Sequence, residues 1–373
     1  MSMIHITRVV KWVSDRRGIG RQVRWRSLHG EGASLHTPFC LHWGMPKTAV
    51  TIVDIARELG MSKTTVSDAL MGSGRVSEAT RQKTLLAAQR MGYVSNRAAR
   101  LLRRSRTGAL GLYIPGHVRN LSFYMDFAFG AADESALQDL DLTLIGRAHS
   151  NAIRVAPPRV DGLIAIDALA GDPVLESLLA SDLPVVTAGR MLGAPEGRAL
   201  AVIEVDHYTM ATTLLDAIRA AGGHRPVLLG SDENFSSAYT VDVSRAYVDW
   251  CSERNIEPIQ FALSVTPTDR QLSQAVRDIV SHGTADGLIS VATGVAGRAA
   301  PVLQSLGLSL ADDFHLGSLS GDPTTELVNP HIHAVDLRPR EFGHESVNLL
   351  SEVISGEAAE TSRRSHHAKL TAG

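Results

Sequence analysis

The sequence contains few cysteines and no long apolar run. Its two cysteines, Cys40 and Cys251, are too few for a disulfide framework, which fits a reducing compartment. No apolar stretch reaches the length needed to span a bilayer, and the first 44 residues lack the apolar core of a secretory signal. These absences argue against an exported or membrane-spanning protein.

The motifs of common enzyme classes are also missing. The sequence has no glycine-rich phosphate loop of the P-loop or dinucleotide type and no nucleophile elbow. His331 and His333 lie on one strand face, and His366 and His367 lie in a polar tail. Neither pair has a cysteine or carboxylate at metal-ligand spacing. We therefore predict no catalytic residue, no metal site and no cofactor.

Charge is distributed unevenly along the chain, although the formal net charge is only −2. Residues 46–107 contain 12 lysines and arginines against four aspartates and glutamates, and residues 1–45 contain seven against two. The remainder carries an acidic excess of 15. A basic end on an acidic body is expected when the basic end neutralises nucleic acid phosphates.

Local signals in the basic region predict three helices. Thr51, Ser62 and Ser77 are suitable N-caps, and Gly60 and Gly92 suit the left-handed residue just past a helix end. The turn between the first two helices is about three residues long, as in a helix-turn-helix. The alternative is a small helical bundle without a partner, and the positive charge favours DNA binding over it.

A longer pattern in the same region carries a family resemblance. The residues in question occur in a fixed order: Thr51-Ile52, Asp54-Ile55-Ala56, Gly60, Ser62, Thr65-Val66-Ser67, Leu70, Gly72, Val76-Ser77, Thr80-Arg81, Gly92-Tyr93, Asn96, Ala98-Ala99-Arg100 and Leu102. This segment resembles the DNA-binding head of the lactose-repressor (LacI/GalR) family of bacterial transcription regulators. The resemblance implies that the second helix lies in the major groove of DNA and that a short hinge helix follows the head.

The resemblance also implies roles for individual residues. Those expected to contact bases are Lys63, Thr64, Asp68 and Leu102, the last as a wedge in the minor groove. Those expected to contact phosphates are Thr51, Ser62, Thr65, Ser67, Asn96 and Arg97. Asp68 stands where the family usually has arginine. Because a carboxylate accepts from cytosine and cannot read guanine, the operator preference is expected to differ, unless Asp68 is only a solvated surface group.

Beyond Thr107, short apolar runs alternate with helical segments. The expected strands are Ala109–Ile114, Leu142–Ile145, Gly162–Ile166, Val185–Ala188, Ala201–Val205, Val227–Leu229, Ile259–Ala262, Gly287–Val291, His315–Ser318 and His333–Val335. This alternation predicts parallel sheets covered by helices, in two lobes. The region resembles the effector domain of the same family, which is built like a periplasmic sugar-binding protein, so the chain is expected to cross between lobes near Asp206 and Asp336.

A small ligand is expected in the cleft between these lobes. Candidate lining residues follow the carboxyl ends of the predicted strands, where open α/β sheets bind ligands. They are Tyr113, Phe123, Tyr124, Asp167, Arg190, Phe235, Arg245, Thr293 and Asp322. Phe123 and Tyr124 match an aromatic position that the family stacks on sugars, although ordinary core packing is the commoner role of such residues.

Two departures from the family pattern affect this cleft. Val243 stands where a ligand-gripping arginine is usual, with Arg245 two residues away as a substitute. Ala292-Thr293-Gly294 stands where Asn-Asp is usual, which removes a carboxylate that would bind sugar hydroxyls. The effector is therefore expected to be an unusual carbohydrate, another small metabolite, or absent.

The expected organisation is a helix-turn-helix head with a two-lobed α/β body like a periplasmic binding protein. The predicted segments are an extension (1–45) that is disordered or arises from an upstream start codon, the head (46–94), a hinge (95–107), the effector and dimerisation body (108–357), and a disordered tail (358–373). We predict a cytoplasmic, nucleoid-associated bacterial repressor. Its expected partners are a pseudo-palindromic double-stranded operator, a small effector and further copies in a homodimer or tetramer. The alternatives are a constitutive DNA-binding protein with a ligandless body and a solute-binding protein.

Overall fold

The computed structural model describes residues 50–71, 76–93, 106–116, 118–119, 121–146, 158–169, 171–194, 197–231 and 237–371. The extension 1–45, most of the hinge, and the predicted site residues Asn96, Arg97, Leu102 and Phe235 lie outside these ranges. The chain divides into two compact units, Met1–Ser95 and Asn96–Gly373, called the head and the body below.

Three helices make up the described part of the head: α1 (Ile52–Leu59), α2 (Lys63–Met71) and α3 (Glu78–Met91). Thr51 and Asp54 form a capping box at the start of α1, and the helix ends at Gly60, whose φ of 64° is left-handed. The Ser77 hydroxyl caps α3 by accepting a hydrogen bond from the Thr80 backbone N–H, and Gly92 ends this helix with a φ of 69°. These boundaries agree with the sequence-based prediction, because each depends on short-range hydrogen bonds.

A small apolar core joins the three helices. Ile55 of α1 and Val66 and Ala69 of α2 are completely buried, and Ala87 and Ala88 of α3 pack among them. Because α2 places Val66 and Ala69 inward, Lys63 and Thr64 at its start remain exposed.

The first lobe of the body contains a six-stranded sheet in which all neighbouring strands are parallel, in the order β11-β5-β4-β3-β1-β2. The strands are β1 (Ala109–Tyr113), β2 (Asp141–Ile145), β3 (Leu163–Ile166), β4 (Val185–Ala188), β5 (Ala201–Val205) and β11 (Arg363–His366). The helices that cover this sheet are α4 (Ser122–Leu137), α5 (Pro173–Leu179) and α10 (Pro339–Ser355).

The second lobe contains a six-stranded sheet in the order β12-β10-β9-β8-β6-β7, parallel except for the antiparallel pair of β10 and β12. The strands are β6 (Pro226–Ser231), β7 (Gln260–Leu263), β8 (Gly287–Ser290), β9 (His315–Ser318), β10 (Ile332–Asp336) and β12 (Lys369–Thr371). The helices of this lobe are α6 (His207–Ala220), α7 (Ala238–Glu253), α8 (Asp269–Ser281) and α9 (Val295–Ser305). The predicted architecture of two lobes with mainly parallel sheets is thereby confirmed.

Helices α4 and α10 cross in close contact on the first lobe. A Cβ atom at Gly130 of α4 would overlap the Arg340 carbonyl oxygen, and a Cβ atom at Gly343 of α10 would overlap the Phe127 carbonyl oxygen. The two glycines therefore allow the helix backbones to touch, and no larger residue fits without moving a backbone.

The final segment differs from the sequence-based expectation. Residues 358–373 were expected to form a disordered tail, but Arg363–His366 pairs with β5 and Lys369–Thr371 pairs with β10. The chain therefore passes between the lobes three times, after β5, after β10 and between β11 and β12, and not only near Asp206 and Asp336.

His366 explains why a polar segment is ordered there. Its imidazole is buried, with Nδ1 2.8 Å from a Glu345 carboxylate oxygen and Nε2 3.0 Å from the Leu337 carbonyl oxygen. The ring stacks on Phe342 with the ring centroids 4.5 Å apart. Polar composition suggested disorder, but these partners lie far away in sequence and satisfy the polar groups after folding.

Candidate functional site

The start of α2 presents the polar groups of the head. The Ser62 hydroxyl accepts a hydrogen bond from the Thr65 backbone N–H at 3.0 Å and lies 2.8 Å from the Thr65 hydroxyl. This cap fixes the first turn of α2, and the exposed side chains of Lys63 and Thr64 project from it. A rigid, positively polarised helix start with exposed donors is suited to anionic partners.

The other predicted DNA-contacting residues of the head lie around this turn. Ser67 and Asp68 are one turn further along α2 and are half-buried. Thr51 is exposed and donates its hydroxyl to Asp54 at 2.7 Å as part of the α1 capping box. Lys63, Thr64, Ser67 and Asp68 thus occur on successive turns of one helix.

The body contains a cavity between its two lobes. Its described lining comes from both lobes and is mostly apolar: Val118, Leu121, Phe123, Tyr124, Ile166, Asp167, Ala188, Gly189, Val205, His207, Tyr239, Thr240, Val265, Val291, Ala292, Thr293, Ser320, Leu337 and Phe342. The volume is about 50 Å³, enough for a few water molecules. Typical ligand pockets measure roughly 300–1,000 Å³, so the lobes are closed on each other here.

Among the described residues that line the cavity, Asp167 is the one with a carboxylate side chain. It follows β3 directly, with a left-handed φ of 45°, and its Oδ2 accepts a hydrogen bond from the Tyr124 hydroxyl at 2.5 Å. Burial raises the pKa of Asp167 to about 6, an effect only partly offset by the Tyr124 hydrogen bond. Burial together with the adjacent Asp167 carboxylate also raises the Tyr124 pKa well above its ordinary value.

His207 and Tyr239 form the part of the wall contributed by the second lobe. Their ring centroids are 4.5 Å apart, and the Tyr239 hydroxyl donates to the Val291 carbonyl at 2.6 Å. Burial lowers the pKa of His207 to about 4, so its imidazole is neutral at physiological pH.

Some of the predicted effector residues line the cavity and others do not. Phe123, Tyr124, Asp167 and Thr293 lie in the cavity wall. Asp322 is not among the described residues that line the cavity, and one of its carboxylate oxygens accepts from the Ser122 hydroxyl at 2.9 Å.

Tyr113, Arg190 and Arg245 are not among the described residues that line the cavity, because other partners hold their side chains. Tyr113 donates its hydroxyl to Asp172. Arg245 lies over the Tyr208 ring, with its guanidinium carbon 5.0 Å from the ring centroid.

Arg245 therefore does not take the place of the ligand-binding arginine that the family usually has at the position of Val243. Val243 is packed in the core of the second lobe, while Arg245 is on a more exposed side of α7. A shift of two residues along a helix turns a side chain by about 200°, which moves it away from the cleft.

Arg190 instead connects the two lobes. Its guanidinium donates to Glu204 at 3.1 Å within the first lobe and to Asp242 of α7 at 2.6 Å. Together with the hydrogen bond from Ser122 to Asp322, this ion pair holds the lobes together across the cleft.

Glu326 is a carboxylate that the sequence analysis missed. It is completely buried, and its two oxygens accept from the Ser318 hydroxyl at 2.8 Å and from the backbone N–H groups of Asp322 and Gly297, both at 2.9 Å. It therefore ties the start of α9 to the loop that carries Asp322. No motif signals this role, because the donors come from three separate segments.

His207, Tyr239 and Ser320 were also missed by the sequence analysis. One signal was available for His207, since it follows Asp206, where the chain was expected to pass between the lobes. Tyr239 and Ser320 have no comparable local signal.

Within the described ranges, no group of histidine, cysteine and acidic side chains is arranged to hold a metal ion. The helices in those ranges are all too short or too polar to cross a membrane.

Comparison with known proteins identifies the family. The model for bacterial regulatory proteins of the lacI family matches residues 51–96, and that for a periplasmic binding protein-like domain matches residues 215–373. The HTH-type transcriptional regulator RafR of Escherichia coli is 30% identical over 320 residues, which cover 82% of this chain and 93% of RafR. The chain belongs to the lacI family.

Other regulators and solved structures match this LacI-family regulator along most of its length. The regulator CelR of Thermobifida fusca is 25% identical over 343 residues, covering 84% of this chain and 94% of CelR. The solved CelR–cellobiose complex has a TM-score of 0.59 at 21% identity and covers 86% of this chain and 98% of that one. The solved Lac repressor dimer bound to operator and the anti-inducer ONPF has a TM-score of 0.67 at 18% identity. The match covers 87% of this chain and 98% of the Lac repressor chain.

At these identities the solved structures show a shared fold. The predicted family, fold class and role in transcription regulation are confirmed.

Proposed function

We propose that this regulator is a repressor that binds a pseudo-palindromic operator as a homodimer and releases or holds it according to a small effector in the body. The observation that carries the proposal is the capped start of α2, where exposed Lys63 and Thr64 stand beside the Ser62 and Thr65 hydroxyls. This arrangement supports the proposal, because side chains long enough to reach base edges stand next to hydroxyls that can bind phosphates.

The remaining head residues complete the proposed DNA contacts. Asp68 lies about one turn beyond Thr64 and accepts from a base, while Thr51 and Ser67 contact phosphates. Asn96, Arg97 and Leu102 act in the hinge, with Leu102 inserted at the centre of the operator.

An exposed apolar stripe on α4 supports dimerisation. Met125, Phe129 and Leu137 recur at multiples of four residues and are 41%, 51% and 79% exposed, and Leu144 on the neighbouring strand β2 is 53% exposed. Several exposed apolar side chains on one helix and the adjoining strand are typical of a surface covered by a partner. A twofold dimer would place two heads on two matching half-sites.

The cavity between the lobes is the proposed effector site. CelR has been solved with cellobiose, and we propose a carbohydrate or related metabolite for the present chain. Because the cavity holds about 50 Å³, a ligand enters only if the lobes part and break the Ser122–Asp322 and Arg190–Asp242 contacts. Effector binding is thereby coupled to the lobe angle, and through it to the hinge.

We place this activity in the bacterial cytoplasm, where DNA is accessible, and propose that it consists of binding without catalysis. A second candidate is a constitutive DNA-binding protein with a ligandless body. The small cavity and the burial of Val243 in the core favour that candidate.

The first test is selection of binding sites from a randomised duplex pool with the full chain, followed by affinity measurements at several salt concentrations. We expect a twofold-symmetric site and a steep loss of affinity with salt. Lys63→Ala should weaken binding by roughly tenfold and relax the base preference at the position that it contacts in each half-site. Lys83→Ala on α3 removes the same charge from another helix of the head and should have the smaller effect.

Failure to select any duplex, or equal effects of the two substitutions on site preference, would refute the proposed role of α2.

A further inference from the structure

The charge of the cavity wall restricts the effector. Among the described lining residues, Asp167 carries a carboxylate and none is lysine or arginine. Arg190 follows Gly189 of the wall, but its guanidinium is bound to Glu204 and Asp242 outside the cavity. The described wall therefore offers an anion no opposite charge.

The groups that face Asp167 from the surrounding elements do not change this balance. They are the Tyr124 hydroxyl from α4 and the Tyr239 phenol from α7. The His207 imidazole, also in the wall, is neutral, and the charges that act on it are those of Asp242, Arg190 and Asp206. Tyr124, Tyr239 and His207 are uncharged at physiological pH, so among the described lining residues Asp167 carries the charge that an incoming ligand meets.

Most other polar groups in the wall are already paired. Tyr239 donates to the Val291 carbonyl, and the Thr293 and Ser320 hydroxyls lie 2.7 Å apart. Asp167 uses Oδ2 for Tyr124, while its Oδ1 receives no hydrogen bond from the described residues. A carboxylate oxygen without a donor in an apolar cavity costs stability, and such costs are typical of binding sites.

We propose, on the basis of the effector-controlled function above, that the cavity admits only effectors without negative charge. Such an effector donates a hydrogen bond to Asp167 and places an apolar face against the Phe123 and Tyr239 rings. Phosphorylated and carboxylated metabolites are rejected, because an anion would meet a carboxylate in a weakly polar environment, with no lysine or arginine among the described lining residues to compensate its charge.

Effector binding should then depend on pH. The ionised form of Asp167 accepts the ligand's hydrogen bond, and its pKa is about 6. Affinity should be constant above about pH 7 and about tenfold lower at pH 5, where roughly one site in ten is ionised. Protonation is reversible, so returning to pH 7.5 restores binding.

The experiment uses the full chain and matched probe pairs: D-glucose and D-glucose 6-phosphate, D-galactose and D-galactose 6-phosphate, glycerol and glycerol 3-phosphate, and choline and phosphocholine. Thermal shifts at pH 7.5 identify stabilising probes, and calorimetric titration gives their affinities at pH 7.5 and 5. Asp167→Asn is compared with Asp182→Asn, a matched substitution of an exposed aspartate.

We expect stabilisation only by unphosphorylated members, at least a tenfold loss of affinity in Asp167→Asn, and none in Asp182→Asn. A phosphorylated member that binds as well as its partner overturns the inference. So does undiminished affinity in Asp167→Asn, or the lack of any shift with the unphosphorylated probes.

Operator binding is measured on the same protein. Intact DNA binding with a failed probe result removes this inference alone, whereas loss of both removes the proposed function as well.

Discussion

The head and the body build their proposed sites in different ways. The proposed DNA-contacting groups of α2 lie between Ser62 and Asp68, and their positions depend on one helix and its cap. The cavity wall of the body comes from many segments between Val118 and Phe342, contributed by both lobes. A change in long-range packing should therefore affect the body strongly and the head little.

The sharpest test of this difference is Gly130→Ala in α4. The new methyl group would overlap the Arg340 carbonyl oxygen, and relief requires α4 and α10 to separate. We expect a loss of about 3–5 kcal/mol in the unfolding free energy of the body, measured by denaturant unfolding followed by circular dichroism. Gly116→Ala is the control, because a Cβ atom there meets nothing within 4 Å. Equal stability of the two variants would show that the helices are not in close contact.

Asp167→Asn tests the cost of the cavity carboxylate. The folded-state pKa of about 6 lies above the ordinary 3.8, so Asp167 favours folding below pH 3.8, and this contribution is lost as the pH rises through 6. Above pH 6 the buried carboxylate destabilises the folded state, and replacement by asparagine removes this destabilisation. The variant should be more stable than the parent by up to about 3 kcal/mol at pH 8, with the gain disappearing near pH 4. Thermal unfolding across this pH range measures it, and a gain that does not change with pH would contradict the assignment.

Ser62→Ala should have the smallest effect of the three, confined to the head. It removes the hydroxyl that accepts from the Thr65 N–H, which costs about 1 kcal/mol of helix stability. Ser62→Asp restores an acceptor at the same position and should recover most of the loss. Hydrogen exchange of the α2 amides provides the measurement. Unchanged protection in Ser62→Ala would mean that the cap does not stabilise α2.

The same contrast explains what was predictable from the sequence. Thr51, Gly60 and Ser77 act on neighbours within a few residues, so the three head helices follow from local patterns. The buried strands of the body are also continuous apolar runs, such as Leu163–Ile166, and were found for that reason.

Side chains that depend on distant partners were not predictable. The order around His366 comes from Glu345, Leu337 and Phe342, none of which is near it in the sequence. Arg190 was correctly placed after β4 but is bound to Asp242, because α7 brings that carboxylate across from the other lobe.

The cavity shows the same limit. Asp167 and Thr293 were found because they follow strands β3 and β8, where ligands bind in open sheets. Glu326 was missed because its role depends on Ser318, Gly297 and Asp322 together, and only the folded loop brings these groups within 3 Å of one carboxylate.

The position of strands β11 and β12 affects the synthesis of the protein. Each lobe receives one strand of its sheet from residues 363–371, the first beside β5 and the second beside β10. A nascent chain must therefore keep an unpaired edge on both sheets until residue 371 has left the ribosome. Open strand edges are sites of mispairing between chains, so the body is exposed to aggregation until these two strands have formed.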